Sequence, residues 1–380
     1  MNIVKLLIVS TLLSLNFGQL IRIPISSEPN VLTITDILTT ITIFSFLIYT
    51  LTIKRSLKLE SLTFPIVSLF ALFAFSSTIL ALTVFSKTEI LISTFFLLRF
   101  IIYFAFSIVI YNLVVKEKVT SWINFFLFTQ LIFMTLGFIG FFLFPDLSFL
   151  TIYGWDPHQK RIVSTLLDPN FSGALFMITI SFAISYYLYF KEKKYLLYAV
   201  YAFFALILTF SRSSYLALIV AALTIGVLKS PKLILIITLA FSLVFLVNQK
   251  VRSRIIGAFT LDETAQARLE SWNNALTIFK RNFLFGVGFN TYRYTQARYG
   301  FFDSDNPQGG HSGAGSDSSI LTTAATTGII GLIFYLILLF SIFKIYLRHA
   351  KNYPLHLASL ASFLGLLVHS QFVNSLFFPK

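Results

Sequence analysis

Cysteine is absent from this chain of 380 residues. That excludes a disulfide framework and thiolate metal sites, and it leaves the redox compartment undetermined. Charge is scarce: Asp, Glu, Lys and Arg make up 12% of the residues, where a soluble domain carries about 25%. There is no phosphate-binding glycine loop, no HExxH helix and no zinc-spaced cluster. ATP hydrolysis and metal-dependent hydrolysis therefore have no support, and no cofactor or metal is expected. What fills the chain is apolar. Hydrophobic residues reach 57%, Phe alone numbers 45, and mean hydropathy is +0.83. Contact with lipid explains such a balance.

A bilayer core needs roughly 20 apolar residues per helix. That window predicts an all-α polytopic protein with about 11 transmembrane helices. They lie near 3–20, 35–53, 62–85, 91–115, 120–144, 170–190, 195–210, 213–229, 232–249, 318–347 and 355–377. The first could pass for a signal peptide, but no small-x-small cleavage site follows, so it reads as a retained span. Three regions result: helices 1–9 over 1–249, a long loop over 250–317, and helices 10–11 over 318–380.

Alternate short loops are rich in Lys and Arg, as in Lys54-Arg55 and Lys191 to Lys194. The opposite short loops carry far fewer. The basic set is expected in the cytoplasm, which puts 250–317 on the extracytoplasmic side. Long translocated loops escape the charge bias, so basic residues there do not reverse the orientation. The net charge of +14 would point to nucleic acid in a soluble chain. Here it points to topology, anionic lipid or an anionic substrate, and no nucleic-acid partner is expected.

Arg212 stands in TFSRSSYLAL. It reads either as an interfacial arginine that snorkels or as a fixed guanidinium, whose fork of donors matches phosphate oxygens. In the long loop, Arg268, Trp272, Ala275, Leu276 and Phe279 recur at helical spacing. This predicts an amphipathic helix on the bilayer surface. Gly286 and Gly288 form a short turn without the strand-turn-helix context of a dinucleotide site. Arg161, in GWDPHQKRIVSTLLDPNFSG, is a third outer basic residue. Asp168 reads as the start of the sixth span.

GGHSGAGSDSS over 309–319 is small and polar in an apolar chain. Its glycines permit close backbone approach to a ligand. His311 and Asp317 can each take a proton from an attacking hydroxyl. Asp317-Ser318-Ser319 equally resembles a helix N-cap.

Four stretches together resemble the O-antigen ligase and polymerase superfamily of bacterial envelopes: RIVSTLLDPNFSG, TFSRSSYLAL, ARLESWNNALTIFKRNFLFGVGFNTY, and the polar segment entering TTGIIGLIFYLILL. The resemblance implies a GT-C-like helical fold in the cytoplasmic (inner) membrane, with the site on the extracytoplasmic side. It implies a glycosyltransferase that moves a saccharide from undecaprenyl diphosphate to a glycan or lipid acceptor. Arg212 and Arg268 would contact the diphosphate, and Arg161 would join them. The family's basic histidine aligns with Asp317 when counted back from Gly328, which is a departure from the pattern. His311, six residues upstream, is favoured as the base because its ordinary pKa suits proton transfer near neutral pH. Ligase and polymerase differ only in acceptor, and both remain open. A transporter or flippase of anionic lipid-linked saccharides is the alternative, and it expects charges buried along the spans. Arg99, Asp36 and His369 are the few such residues.

Overall fold

The computed structural model describes residues 2–24, 31–53, 57–59, 62–114, 119–153, 155–302 and 312–377. The first half supplies α1 (Asn2–Ser14), α2 (Ile34–Thr52), α3 (Thr63–Leu80), α4 (Lys87–Leu113) and α5 (Val119–Leu143). An antiparallel hairpin, β1 (Arg22–Pro24) with β2 (Val31–Thr33), joins α1 to α2. Next come α6 (Pro169–Phe190), α7 (Lys193–Ile207), α8 (Arg212–Leu228) and α9 (Pro231–Val247). The long loop holds α10 (Gln249–Phe259), α11 (Glu263–Arg281) and α12 (Tyr292–Arg298). The chain closes with α13 (Ser319–His349) and α14 (Pro354–His369).

Each of the predicted spans carries a helix. Among the described residues, six helices are both long and apolar enough to cross a membrane: α2, α3 with its terminal turn, α4, α5, α6 and α13. Three shorter apolar helices, α1, α8 and α14, fall below that length. At the end of α9 the chain bends by 100° into α10. This is a multi-pass membrane protein, and α6 is its centre. Of the α6 window 61% is buried, against 17% for α4.

Lipid tails are as apolar as leucine, so helices in a bilayer associate through close packing of small residues rather than through the hydrophobic effect. The α6–α8–α14 junction follows this rule. Gly365 lies so near α8 that a Cβ there would sit 2.9 Å from the Ala217 carbonyl oxygen. Gly173 of α6 similarly abuts the Ser214 hydroxyl. On α9, Leu235, Leu239 and Leu243 are exposed on the outside of the bundle.

At α6 the helix start is capped as the sequence expects. Asp168 accepts from the Asn170 and Phe171 amides at 2.8 and 3.3 Å, with Pro169 opening α6. Thr33 and Asp36 form a reciprocal capping box on α2. Such caps contribute about 1 kcal/mol each. At α13 the cap is Ser318, whose hydroxyl accepts from the Leu321 amide. The capping role offered to Asp317 by the sequence therefore falls to its neighbour. Arg99, the charge of note within the spans, donates through Nη2 to the Val31 carbonyl at 2.6 Å and to Asp36 at 2.8 Å.

The sequence places α11 on the bilayer surface. One of its faces packs on the protein, where Ala275 and Ile278 are buried with Tyr292 of α12 and Ala325 of α13, while Leu269 and Leu276 are exposed. Period alone does not distinguish a lipid-facing stripe from a protein-facing one.

A second feature hidden in the sequence is a break in α13. Gly328 has φ 64° and ψ −168° inside the helix. The freed carbonyls of Ala325 and Thr326 accept from the amides of Val287 and Gly288 at 3.1 and 3.0 Å. In turn the Ile329 amide donates to the Phe283 carbonyl at 2.8 Å. The Gly-x-Gly turn and the Thr-Gly of α13 are thus one backbone-to-backbone joint. Gly286 has φ +68°, and a Cβ there would collide with the Thr326 backbone. Gly286→Ala is expected to cost more than the about 1–3 kcal/mol of a strained backbone residue. An unchanged thermal midpoint of the purified variant would show that the joint yields.

Candidate active site

Arg212 is the first residue of α8. Just before it Phe210 takes a left-handed φ of 50°, and Ser211 caps the helix by accepting from the Ser214 amide. The turn is tied to α6: Ser211 donates to Asn170 Oδ1 at 2.7 Å and Ser214 to the Asn170 carbonyl at 3.2 Å. His369, at the end of α14, hydrogen-bonds the same carbonyl through Nε2 at 3.1 Å. A carbonyl only accepts, so Nε2 carries the proton and Nδ1 accepts from Ser375 at 3.0 Å. Three elements therefore fix the base of Arg212, and its side chain is 10% exposed.

The guanidinium meets the carboxylate of Asp262 through two bonds of 3.2 and 3.1 Å. Asp262 is also the N-cap of α11, accepting from the Ala265 amide at 3.0 Å. Burial pushes the Asp262 carboxyl up. The Arg212 and Ala265 hydrogen bonds outweigh it, so the group stays below the ordinary carboxylate range.

Arg268, two turns into α11, shares a cavity with Arg212. Burial lowers its pKa and the carboxylate of Asp317 opposes that shift, while Arg212 and Arg254 push in the lowering direction. Asp317 is held through its backbone amide, which donates to the Ser271 hydroxyl at 3.0 Å. So Asp317 stands over α11 beside Arg268. His311 lies outside the described residues.

Arg161 is placed differently. Its Nε and Nη2 donate to the carbonyls of Thr209 and Phe210 at 2.8 and 3.3 Å, bracing the strained turn that presents Arg212. It does not line the shared cavity. Burial and the nearby charge of Arg254 draw its pKa down to about 10, and it stays charged at neutral pH.

Two contributors escape sequence reasoning: Arg254 and Asp262. Arg254 lies on α10, four residues after Lys250, and its Nε is buried without a hydrogen-bond partner in the described residues. Burial and then the charge of Arg212 lower its pKa. The i, i+4 basic pair of α10 was the available signal, but only the bend after α9 turns it toward Arg212.

Lys250 adds a further cation. Its Nζ donates to the Gln159 and Lys160 carbonyls at 3.0 and 2.8 Å. Burial, then Arg161 and Arg254, pulls its pKa from 10.5 to about 8. Below that pH the folded protein carries the buried charge at a constant penalty. Between about 8 and 10.5 the unfolded chain still binds a proton that the folded one has released, so stability rises with pH. Relative to Lys250→Met, the wild-type thermal midpoint is expected to climb across pH 8 to 9.5. Parallel curves for the two proteins would remove this assignment.

The cavity that Arg212 and Arg268 share has a volume of about 780 Å³. The two guanidiniums and Ser213 sit at one part of it, and the rest is walled by apolar side chains. Leu216 and Ile219 come from α8, Phe241 and Phe245 from α9, Ile255 and Phe259 from α10, and Trp272 from α11. Such a space takes an amphiphile with an anionic head and a long hydrocarbon tail. Among the described residues no group of three or more metal-ligating side chains occurs.

No curated protein matches the chain. The family model described as O-antigen ligase matches residues 197–336, from α7 into α13. The matched stretch contains Arg212, Arg254, Asp262, Arg268, His311 and Asp317, and it leaves out Arg161 and Arg99. Over residues 197–336, rather more than a third of its length, the chain is similar to the O-antigen ligase family.

Proposed function

We propose that the protein transfers a saccharide from undecaprenyl diphosphate to an acceptor hydroxyl at the outer face of the bacterial cytoplasmic membrane. The observation that carries this reading is the pairing of converging guanidiniums with an apolar groove in one cavity. Arg212 and Arg268 hold the diphosphate, with Arg254 behind them, and the polyprenyl tail lies along the α8–α9 wall. Arg161 acts on the site by bracing the turn before Arg212. In the free protein Asp262 occupies the fork of Arg212 that the diphosphate takes.

The chemistry is a single displacement. His311 removes the proton of the acceptor hydroxyl. That oxygen attacks the anomeric carbon, the bond from carbon to the diphosphate oxygen breaks, and undecaprenyl diphosphate departs with the electron pair. Inversion at the anomeric carbon follows. Negative charge grows on the leaving diphosphate, where preorganised arginines in a site of low dielectric stabilise it. Because guanidiniums supply that positive charge, the reading requires neither a divalent ion nor a nucleotide. Asp317 keeps Arg268 in place.

The transporter alternative relies on charges within the spans. Arg99 and Asp36 are paired with each other, and His369 is bonded on both ring nitrogens. To test the enzyme reading, purified protein is incubated with an undecaprenyl-diphosphate oligosaccharide, without added metal or nucleotide. Elongated glycan together with free undecaprenyl diphosphate is expected. Donor recovered chemically intact, or moved across a vesicle bilayer intact, would overturn the assignment.

A further inference from the structure

The arginine cluster accounts for one end of a group transfer and leaves a second cavity unexplained. This cavity, of about 260 Å³, lies among α4, the turn before α12, the first turns of α13 and the segment 374–377. It borders the candidate active site. Thr322 lines it, and the Thr322 hydroxyl accepts from the Ser316 amide at 3.0 Å, next to Asp317.

Its polar groups have unused capacity. Arg99 spends only Nη2 on Val31 and Asp36, so Nε and Nη1 make no hydrogen bond to a described residue. Asn374 is 8% exposed; its Oδ1 accepts from Ser319 at 2.8 Å, while Nδ2 has no such partner. The Asn290 side chain has none either, and its backbone is held at φ 60°. Unfilled donors and a strained conformation concentrate where a ligand is bound. Phe100, Phe289 and Phe377 supply aromatic walls, and Thr323, Thr326 and Ser375 add hydroxyls.

We infer that this cavity binds one sugar ring of the acceptor glycan. A pyranose presents hydroxyls around its edge and an apolar C–H face, and amides, a guanidinium and phenyl rings satisfy both. Arg99 is already offset by Asp36, so the site favours hydroxyl donors and acceptors over a strongly anionic group. Drug-sized ligands occupy about 300–1,000 Å³, so a cavity of about 260 Å³ admits a single ring. This inference rests on the transferase reading for its biological sense, but its test stands apart.

Wild-type protein in nanodiscs is presented with the methyl glycosides of glucose, galactose, mannose, N-acetylglucosamine and glucuronic acid, read by saturation-transfer NMR. Undecaprenyl diphosphate binding is measured in parallel. Asn290→Gly keeps the left-handed backbone and removes the amide, and Asn374→Asp keeps Oδ1 and removes the Nδ2 donors. At least one glycoside is expected to bind, with affinity lowered about three- to tenfold in each variant, the worth of a lost hydrogen bond. Both variants are expected to bind undecaprenyl diphosphate as wild type does, which shows that they are folded. Arg212→Ala is expected to show the reverse pattern. No glycoside binding by wild type, or equal binding by both variants, overturns the inference. Glycoside binding without undecaprenyl diphosphate binding by wild type would instead sink the donor reading and leave the sugar site standing.

Discussion

Arg212→Ala is expected to lower turnover by about 100- to 1,000-fold, the range seen when one preorganised donor to a developing negative charge is removed. The effect is large because nothing nearby replaces this fork. Arg161 is committed to the carbonyls of Thr209 and Phe210, and Arg254 and Arg268 approach from other helices. Arg212→Lys is expected to fall between the two. Lysine keeps the charge but presents it as a point, without two parallel donors. The measurement is steady-state transfer by purified variants whose thermal midpoint matches wild type within a few degrees. An Arg212→Ala enzyme as fast as wild type would remove the diphosphate from this position.

His311→Ala is expected to reduce turnover by about 100- to 10,000-fold, the contribution of a well-placed general base. Asp317→Asn is expected to lose about tenfold, because Asp317 acts through Arg268 and not on the substrate proton. The two variants also differ in pH response. In the wild type the rate is expected to fall as pH drops through the ordinary histidine range near 6.5, because protonated imidazole accepts no proton. Asp317→Asn retains that fall. Reversal of the ranking, with Asp317→Asn dead and His311→Ala active, would transfer the role of base to the carboxylate. That is the position to which counting back from Gly328 leads.

The long apolar runs were legible because a bilayer imposes length and composition on any helix that crosses it. The cap at Asp168 was legible for a similar reason: it is local. Arg254 and Asp262 were not. They join Arg212 only because the chain turns by 100° after Val247, and no residue pattern around Asn248 announces such a turn. Which part of the apolar face of α11 meets protein was not legible either, since Ala275 and Ile278 look the same to a helical wheel whichever apolar neighbour they meet. The break at Gly328 was the least visible. TTAATTGIIGLIF is a sound helical sequence, and its interruption depends on amides donated from forty residues upstream.

Arg161 illustrates an intermediate case. Its charge was readable, and its bonds to two carbonyls were not. Those bonds exist because α7 stops at Ile207 and Phe210 turns left-handed.

The joint between the Gly-x-Gly turn and α13 has an evolutionary corollary. Its bonds run between main-chain atoms of Phe283 to Gly288 and of Ala325 to Ile329. Relatives are therefore free to exchange the side chains at 283, 285 and 287 without breaking these bonds, so long as the packing of Phe285 on Phe73 and of Val287 in its cluster is replaced. A single codon gained or lost within that stretch would slide every amide off its carbonyl and swing α11, with Arg268, out of alignment. Drift here should rewrite letters and spare the length.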